Sequence, residues 1–388
     1  MIYLDNAATT FPKPPIVIDT MCEFMKTTMA NPGRSGHKMS TESNKEILAA
    51  RMKLAQLIGA SNPLQIAFTK NASEALNMAI LGLLKQGDHV ITTMMEHNSV
   101  IRPLYKLKND EIIGLSVVKG DHDGFIDWQE IESEIQPSTA LIAVTHSSNL
   151  IGSINDIAHI GKQIAEINRN REQPIAFLVD CAQTAGGIPI DVEKMHIDLL
   201  AGAGHKSLYG PTGTGFLYVS EEVYLDAVYR GGTGSNSESP NQPEFMPDIL
   251  ETGTLNAAGI VGLRAGIEYV LKQGVENLQK KQQELLEYAI AELETIDSVK
   301  IYGTKDVSRR SAVICFNIGK LDSQSVTQRL SEEFDIATRG GMHCAPLAHS
   351  RMGTSEQGMI RASFSSFNTK EDIDALVNAV KKIIDTEE

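Results

Sequence analysis

The chain has 388 residues, of which 42% are hydrophobic and 22% are charged, a composition typical of a globular protein with one large and one smaller domain. Its formal net charge of −14, without any block of Lys and Arg, argues against binding to nucleic acid or to an anionic membrane surface. The sequence lacks a secretory pattern at its start, and no stretch approaches the roughly 20 apolar residues of a membrane span. We therefore expect a cytoplasmic protein that binds neither nucleic acid nor membrane.

The first half of the chain alternates between helical and strand-like patterns. Residues 41–58 carry Ile47, Leu54 and Ile58 at helical spacing, with hydroxyl side chains before them and Gly59 after them, which predicts an amphipathic helix. Strand-like runs follow at 65–69, 89–93, 112–118, 140–146, 175–179 and 215–219. Strands that alternate with helices predict right-handed crossovers and a largely parallel sheet covered on both faces, hence an α/β fold.

The second half begins with a change of composition. Residues 231–256 are rich in Gly, Ser, Asn and Pro, which by composition alone is typical of a linker. Helical patterns follow at about 257–273 and 275–294, strands at 299–302 and 312–318, and a final helix at about 371–384. Neither glycine-rich segment, 210–215 or 231–235, contains a Walker motif or a complete dinucleotide fingerprint, so nucleotide binding is not indicated.

The four cysteines are far apart in the sequence. They include no C-x-x-C pair, and no histidine cluster has metal-ligand spacing, so neither a disulfide framework nor a metal site is indicated. The apolar neighbours of Cys22 and Cys315 predict that both are buried, and Cys181 is expected to fill space. Cys344 differs because it follows the flexible pair Gly340-Gly341.

Asp180 and Lys206 carry the strongest chemical signal. Asp180 closes the strand-like run 175–179, and carboxyl ends of strands in α/β sheets present ligand groups. Lys206 lies between a run of small residues and the glycine-rich turn 210–215, where backbone can approach a ligand closely. Either residue alone would be interpreted as a turn former or a solvated loop residue. Together they could supply a lysine that binds pyridoxal phosphate covalently and a carboxylate that keeps its pyridine nitrogen protonated.

At these residues the chain resembles the class V aminotransferase family of fold-type I pyridoxal-phosphate enzymes, and within it the group II cysteine desulfurases and selenocysteine lyases. The resemblance runs from Tyr3-Leu4-Asp5-Asn6-Ala7-Ala8-Thr9-Thr10 to Arg361-Ala362-Ser363 and Phe367-Asn368-Thr369. It implies a large cofactor-binding domain at 16–260, with a mostly parallel seven-stranded sheet covered by helices. It implies a smaller α+β domain formed by 1–15 and 261–388, and a homodimer in which the segment 231–256 reaches the neighbouring subunit.

The resemblance also implies the residues that hold pyridoxal 5'-phosphate. The helix start that begins Lys70-Asn71-Ala72-Ser73 would bind the phosphate, although an ordinary N-cap has the same pattern. Relatives usually carry Ser at the position of Ala203. The implied cofactor-binding residues are Ala72 and Ser73 at the phosphate, with His205 and, from the partner subunit, Thr254; His97 stacked on the ring; Asp180 at the pyridine nitrogen; Gln183 and Asn149 near the phenolic oxygen; and Lys206.

The substrate residues are implied in the same way. Arg361 matches the arginine that binds the α-carboxylate of an amino acid, and its planar guanidinium can form a bidentate pair with that group. Arg339, Asn31 and Arg34 are implied as further substrate-binding residues. The implied catalytic residues are Lys206, Cys344 and His97.

The segment around Cys344 indicates the reaction type. Arg339-Gly340-Gly341-Met342-His343-Cys344-Ala345 matches the desulfurase motif, in which the thiolate takes sulfur from the substrate as a persulfide while alanine leaves. Arg339 and His343 are expected to favour the thiolate. The short segment between Cys344 and Arg361 resembles group II enzymes, which commonly depend on a sulfur-acceptor protein.

The resemblance favours a cysteine desulfurase that converts L-cysteine to L-alanine and transfers the sulfur to Cys344. A selenocysteine lyase, which releases selenide and alanine from L-selenocysteine, would use the same pocket without requiring the thiol. A class V transaminase or β-lyase would retain Lys206, Asp180 and Arg361 but would have no need for Cys344. The sequence leaves these alternatives open.

Overall fold

The computed structural model describes residues 1–33 and 36–386. The helices are α1 Pro15–Thr27, α2 Lys38–Ile58, α3 Ala72–Leu83, α4 Asn98–Asn109, α5 Trp128–Ser133, α6 Ile157–Asn168, α7 Ala257–Gln273, α8 Val275–Leu293, α9 Ser323–Phe334, α10 Pro346–Met352 and α11 Lys370–Asp385. The strands are β1 Ile2–Tyr3, β2 Ile66–Thr69, β3 His89–Thr93, β4 Gly114–Val118, β5 Thr139–Thr145, β6 Ala176–Asp180, β7 Leu199–Ala203, β8 Gly215–Val219, β9 Val299–Tyr302, β10 Val313–Ile318, β11 Ile336–Ala337, β12 Arg339–Gly341 and β13 Met359–Ser363.

The main sheet has seven strands in the order β2-β8-β7-β6-β5-β3-β4. Neighbours from β4 to β7 are parallel, whereas β8 is antiparallel to both β7 and β2. One hydrophobic core joins the sheet to α2, α6 and α7, and another joins it to α3 and α4. Two covered faces explain why the central strands are fully buried, and the predicted α/β fold with a mostly parallel seven-stranded sheet is confirmed.

Strand β7 is the one strand of the main sheet that the sequence patterns do not predict. Its sequence, Leu-Leu-Ala-Gly-Ala, lacks the β-branched and aromatic residues that mark strands. The small residues are required by packing, because a Cβ at Gly202 would collide with the ring of Phe216 on β8. This strand matters for function, since the loop that follows it carries Lys206.

A second, four-stranded sheet has the order β12-β13-β10-β9 and is antiparallel throughout. It shares a hydrophobic core with α8, α9 and α11, and β1 pairs with β11 beside it, so the start of the chain belongs to this half of the molecule. Helix α7 packs against α1 and α2. The division at residues 15 and 260 stays a prediction.

The structure corrects the prediction for Cys22. Cys22 is exposed on α1, whereas Cys181 and Cys315 are buried as expected. The apolar neighbours of Cys22 in the sequence do not share its face, because adjacent positions on a helix are rotated by about 100°. Val17 and Phe24 form the buried face of α1, and Cys22 lies outside it.

The segment 231–256 has no helix or strand, but its end is firmly anchored. Glu251 forms a bidentate ion pair with Arg51 on α2, with both N–O distances at 2.9 Å, and both residues are buried. Its Oε1 also accepts a hydrogen bond from the Phe68 amide at 2.6 Å. An ordered segment, rather than a free linker, follows from these contacts.

Among residues 1–33 and 36–386, no helix is both long and apolar enough to cross a membrane. In the same part of the chain, no group of three or more His, Cys, Asp and Glu side chains is arranged to hold a metal ion.

Candidate active site

A cavity of about 220 Å³ lies at the carboxyl edge of the main sheet, where that sheet meets the second one. The ends of β5 and β6, the starts of α3 and α4, and β13 all contribute to its wall. Most of the predicted site residues line it: Ala72, Ser73, His97, Asn149, Asp180, Gln183, His205, Lys206, Arg339 and Arg361. The fold therefore brings together residues from both halves of the molecule.

Asp180 and Lys206 meet because β6 and β7 are parallel neighbours that end at the same edge of the sheet. The Asp180 side chain is buried, and its Oδ1 accepts a hydrogen bond from the Ala182 amide at 2.9 Å. Burial raises the pKa of Asp180, while the Ala182 amide and the Lys206 charge act against that rise. Burial lowers the pKa of Lys206 to about 8, although Asp180 opposes the shift. Lys206 is thus tuned toward a neutral, nucleophilic amine.

The N-terminal segment fixes the backbone of Lys206. Thr10 Oγ1 donates to the Lys206 carbonyl at 2.6 Å, and the Thr10 amide donates to the His205 carbonyl at 3.1 Å. Lys13 Nζ donates to the same His205 carbonyl at 2.7 Å. Thr10 and Lys13 were not singled out by the sequence, because contacts between distant segments leave no local pattern.

The start of α3 lines one side of the cavity. Asn71 caps the helix, with its Oδ1 accepting from the Glu74 amide at 2.9 Å, and Ala72 and Ser73 supply the first helical amides. Such amides have no partner within the helix and favour an anion. His205 Nδ1 is buried and has no hydrogen-bond partner among the described residues. Burial lowers the pKa of His205 to about 4, so the ring is neutral near pH 7.

His97 is the N-cap of α4, which fixes its ring. Its Nδ1 accepts from the Ser99 amide at 3.1 Å, so the neutral ring carries its proton on Nε2. Burial, followed by the charges of Lys206 and Arg339, lowers the pKa of His97 to about 4. Ser99 Oγ lies 2.8 Å from this Nδ1 and 2.5 Å from Ser73 Oγ, so hydroxyl groups connect His97 to the start of α3.

Glu96 is a buried residue that the sequence analysis missed. Its Oε1 accepts from Thr93 Oγ1 at 2.7 Å and from the Thr145 amide at 2.9 Å. Burial raises its pKa to about 8, despite these two hydrogen bonds. Glu96 thus ties the ends of β3 and β5 together directly before His97. A glutamate in a turn gives no sequence signal for such burial.

Arg361 on β13 presents a buried guanidinium to the cavity. Its side chain is 1% exposed, its Nη1 donates to the Asn149 carbonyl, and its Nη2 donates to Asp5 Oδ1, both at 2.9 Å. The Nε atom has no hydrogen-bond partner within the described residues. The geometry leaves part of a planar cation available to a carboxylate. Gln183 also reaches the N-terminal segment, with its Nε2 donating to the Ala7 carbonyl at 3.2 Å.

Cys344 lies on the loop between β12 and α10. His343 and Cys344 both have positive φ angles, 47° and 57°, which are unusual for residues with a side chain. The Cys344 carbonyl accepts from the Asn98 amide at 2.7 Å, and the His343 carbonyl accepts from Asn149 Nδ2 at 2.7 Å. These two contacts join the loop to the opposite wall of the cavity.

The Cys344 thiol is partly exposed, and its Sγ lies 3.8 Å from Nη2 of Arg339. The geometry does not support the expectation that His343 favours the Cys344 thiolate. Burial lowers the pKa of His343 to about 2, and its Nε2 lies 2.9 Å from the Met359 carbonyl, so the ring is a neutral structural donor. A positive charge next to the thiol comes from Arg339.

Among the described residues, the predicted residues Asn31, Thr254 and Cys344 are not part of the cavity wall in this chain. Asn31 and Thr254 lie next to each other outside its wall, with Asn31 Nδ2 3.5 Å from Thr254 Oγ1. Arg34 lies outside the described residues. The Cys344 side chain lies beside the cavity through its contact with Arg339, which does line it.

Related sequences match nearly the whole chain. A protein from Methanothermobacter thermautotrophicus named "Probable cysteine desulfurase" is 36% identical, and the match covers 98% of this chain and 94% of the relative. A protein from Escherichia coli O157:H7 named "Cysteine desulfurase" is 32% identical, with coverage of 99% and 93%.

Solved structures match equally broadly. The apo structure of a cysteine desulfurase from Thermococcus onnurineus NA1 superposes with a TM-score of 0.91 at 32% identity, covering 99% of this chain and 95% of that one. The cysteine desulfurase CsdA from Escherichia coli, in an S-sulfonic acid form, gives a TM-score of 0.88 at 28% identity, with the same coverage. The sequence model of the family described as Aminotransferase class-V matches residues 2–376. The chain therefore belongs to the class V aminotransferase family.

Proposed function

We propose that this protein is a pyridoxal-phosphate-dependent cysteine desulfurase that converts L-cysteine to L-alanine and takes the sulfur onto Cys344 as a persulfide. One observation carries the proposal: Lys206, Asp180 and Arg361 share a cavity, and the partly exposed thiol of Cys344 lies at its edge beside Arg339. The names of the relatives that match the full chain support the same activity.

The residues of the cavity fit pyridoxal phosphate. The orphaned His205 Nδ1 and the first amides of α3 suit the phosphate, and a buried carboxylate, Asp180, suits a protonated pyridine nitrogen. Ala72, Ser73 and His205 would hold the phosphate, Gln183 and Asn149 would approach the phenolic oxygen, His97 would cover the ring, and Lys206 would hold the aldehyde carbon. When bound, the cofactor withdraws electrons from the Cα of an amino acid.

The chain's own residues would then orient the substrate and move its protons. Arg361 binds the α-carboxylate, which directs the Cα–H toward the Lys206 amine. Lys206 takes that proton, and its lowered pKa of about 8 suits a group that must both accept and release a proton near neutral pH. Asp180 would pair as a carboxylate with the protonated pyridine nitrogen; burial raises its pKa, and the Ala182 amide and the Lys206 charge act against that rise.

Sulfur transfer would take place at Cys344. The Cys344 thiolate bonds to the substrate sulfur as the substrate's Cβ–S bond breaks, and the electron pair of that bond stays with Cβ, which takes a proton to complete alanine. Arg339 Nη2, at 3.8 Å from Sγ, would place a positive charge beside the attacking sulfur. A thiol or an acceptor protein would then remove the sulfur and restore the Cys344 thiol.

We further propose a homodimer and a dedicated sulfur-acceptor protein. In the dimer, Thr254 of the partner subunit would complete the phosphate site, with the segment 231–256 held in place by the Arg51–Glu251 ion pair. Residues 16–260 would form the cofactor domain, and 1–15 with 261–388 would form the smaller one. Asn31 and Arg34 would lie near the substrate entrance.

The test uses purified protein saturated with pyridoxal phosphate. With L-cysteine and a reductant, we expect equal amounts of alanine and sulfide. After brief exposure to L-cysteine without reductant, mass spectrometry should find one added sulfur atom on the peptide that contains Cys344. Cys22→Ser is the matched control, because Cys22 is an exposed thiol away from the cavity, and it should label like the wild type. Alanine production without sulfur on Cys344 would contradict the persulfide mechanism.

A further inference from the structure

We propose that Asp5 is a positioning residue that holds the Arg361 guanidinium in the orientation needed to bind the substrate carboxylate. The inference deepens the proposed function and rests on the role given there to Arg361. Asp5 acts through Arg361 and does not itself bind the substrate.

The contact between the two side chains is direct and shielded. Arg361 Nη2 donates to Asp5 Oδ1 at 2.9 Å, and the arginine side chain is 1% exposed while that of Asp5 is 21% exposed. A buried guanidinium needs charge compensation and filled hydrogen-bond positions, and within residues 1–33 and 36–386 one further donor, Nη1, is bound, to the Asn149 carbonyl. Asp5 is therefore the compensating anion of Arg361 within the described residues.

The Asp5 backbone is itself fixed, which a positioning role requires. The Ser363 amide donates to the Leu4 carbonyl at 2.7 Å. The Ala7 amide is also bound, because it donates to Ser363 Oγ at 2.8 Å. Asp5 thus sits between two residues bonded to Ser363, which lies two positions after Arg361 on β13. The Asp5 carboxylate can hold the Arg361 guanidinium because the backbone on both sides of Asp5 is hydrogen-bonded to β13, the strand that carries Arg361.

The same segment also reaches the other reactive group. Thr10 and Lys13, a few residues after Asp5, bind the carbonyls of Lys206 and His205. Residues 5–13 therefore contact Arg361 at one end and the Lys206 loop at the other. The separation between the group proposed to bind the α-carboxylate and the amine proposed to act at Cα is set by this one segment.

Competition is the alternative to positioning. Asp5 could occupy a donor that the substrate carboxylate would otherwise use, and its removal would then strengthen binding. A guanidinium has five N–H donors, and Asp5 Oδ1 takes one of them, so a bidentate pair with a substrate remains possible. Without Asp5, Arg361 could rotate away from that alignment, so we expect binding to weaken.

The experiment compares Asp5→Ala and Asp5→Asn with the wild type, each loaded with pyridoxal phosphate. Asp5→Ala should raise the KM for L-cysteine about tenfold or more and change kcat much less, because one charge-assisted contact that orients Arg361 is lost. Asp5→Asn keeps an oxygen that can accept from Nη2, so it should restore most of the wild-type KM. The matched control is Asp335→Asn, which removes the exposed ion pair between Asp335 and the N-terminal amine. This pair does not involve Arg361, so KM should stay unchanged.

A binding measurement separates this inference from the proposed function. The dissociation constants of L-alanine and of L-alaninamide, which lacks the carboxylate, are measured by calorimetry. Asp5→Ala should weaken binding of L-alanine about tenfold and leave L-alaninamide unchanged. Equal effects on both ligands, no effect, or tighter binding of L-alanine would each overturn the positioning role. If the wild type makes no alanine from cysteine, the proposed function fails, and the calorimetric comparison still decides the role of Asp5.

Discussion

The two walls of the cavity are built in different ways. The sheet wall places Asp180 at the end of a buried strand and places Ser73 and His97 at helix starts, so regular elements fix these side chains. The loop wall carries Cys344 on irregular backbone with positive φ, held by hydrogen bonds from Asn98 and Asn149 of the sheet wall. The sheet wall is thus determined locally, whereas the loop wall depends on contacts across the cavity.

The difference suggests a division of labour. The groups of the sheet wall suit chemistry that any pyridoxal-phosphate enzyme acting on amino acids requires, namely cofactor binding and proton transfer at Cα. The thiol of the loop wall suits one reaction, the removal of sulfur. Substitutions in the two walls should therefore differ in which substrates they affect.

Lys206→Ala, on the loop that follows β7 of the main sheet, should have the largest effect. Turnover of L-cysteine and of L-selenocysteine should both fall by about 1,000-fold or more, because the covalent anchor and the proton acceptor are lost together. Alanine production is the measurement for both substrates. In the wild type, borohydride should attach the pyridoxyl group to Lys206, and labelling of another lysine would contradict the assignment.

Cys344→Ser, in the loop wall, should affect one substrate only. Alanine production from L-cysteine should fall by about 100-fold, since serine cannot accept the sulfur. Turnover of L-selenocysteine should stay within a few-fold of the wild type if the protein also acts as a selenocysteine lyase. Equal loss for both substrates would make the thiol necessary for selenium too, and no loss with L-cysteine would remove Cys344 from the mechanism.

The same contrast explains what the sequence could predict. Asp180 ends an apolar strand, and Ser73 comes shortly after the capping residue Asn71. In both places a few neighbouring residues indicate the position in the fold, and the residue itself indicates the chemistry. The predicted mostly parallel sheet follows from the same alternation, with β7 missed because its small residues respond to packing against Phe216. Tertiary packing overrode local propensity there.

The remaining parts of the site could not be read from local sequence. Asp5 and Arg361 are in contact although they are 356 positions apart in the sequence. Lys13 and the His205 carbonyl are in contact although they are 192 positions apart. Glu96 is neutralised by burial, which depends on the ends of two strands meeting around it. The burial that lowers the pKa of His343 depends on distant contacts in the same way, so local sequence does not show it.

Both walls should be sensitive to acid, because each holds a buried histidine whose pKa is lowered. His146, directly after β5, is buried, with Nδ1 lacking a partner among the described residues, and burial lowers its pKa to about 4. The unfolded chain takes up this proton near pH 6.5 and the folded one only near pH 4, so stability present above pH 6.5 is lost as the pH falls through about 4. The loss from this one group is about 3 kcal/mol.

Urea unfolding between pH 7 and pH 4 measures this effect. His146→Gln removes the titration, so the free energy of unfolding should depend less on pH by about 3 kcal/mol, whatever the constant cost of the substitution. His343, in the loop wall, has a pKa of about 2, so it also stays neutral in the folded protein while the unfolded chain takes up its proton, and it should contribute a loss of similar size over this range. An unchanged pH dependence in His146→Gln would show that His146 is not held neutral by burial.

The smallest expected effect concerns an exposed face of α1 that could form the proposed dimer contact. Ile18, Cys22 and Met25 form an exposed apolar stripe at helical spacing on α1, which is unusual for a surface in contact with water only. If the stripe lies at the proposed dimer contact, Cys22 should react with a maleimide slowly at micromolar concentration and faster on dilution, in parallel with dissociation measured by sedimentation. The Cys344→Ser background isolates the signal, because Cys181 and Cys315 are buried. Cofactor occupancy should fall over the same dilution, since Thr254 of the partner subunit would no longer reach the phosphate. Fast labelling of Cys22 in a stable dimer would place the contact elsewhere, and a fully loaded monomer would show that each chain completes its own site.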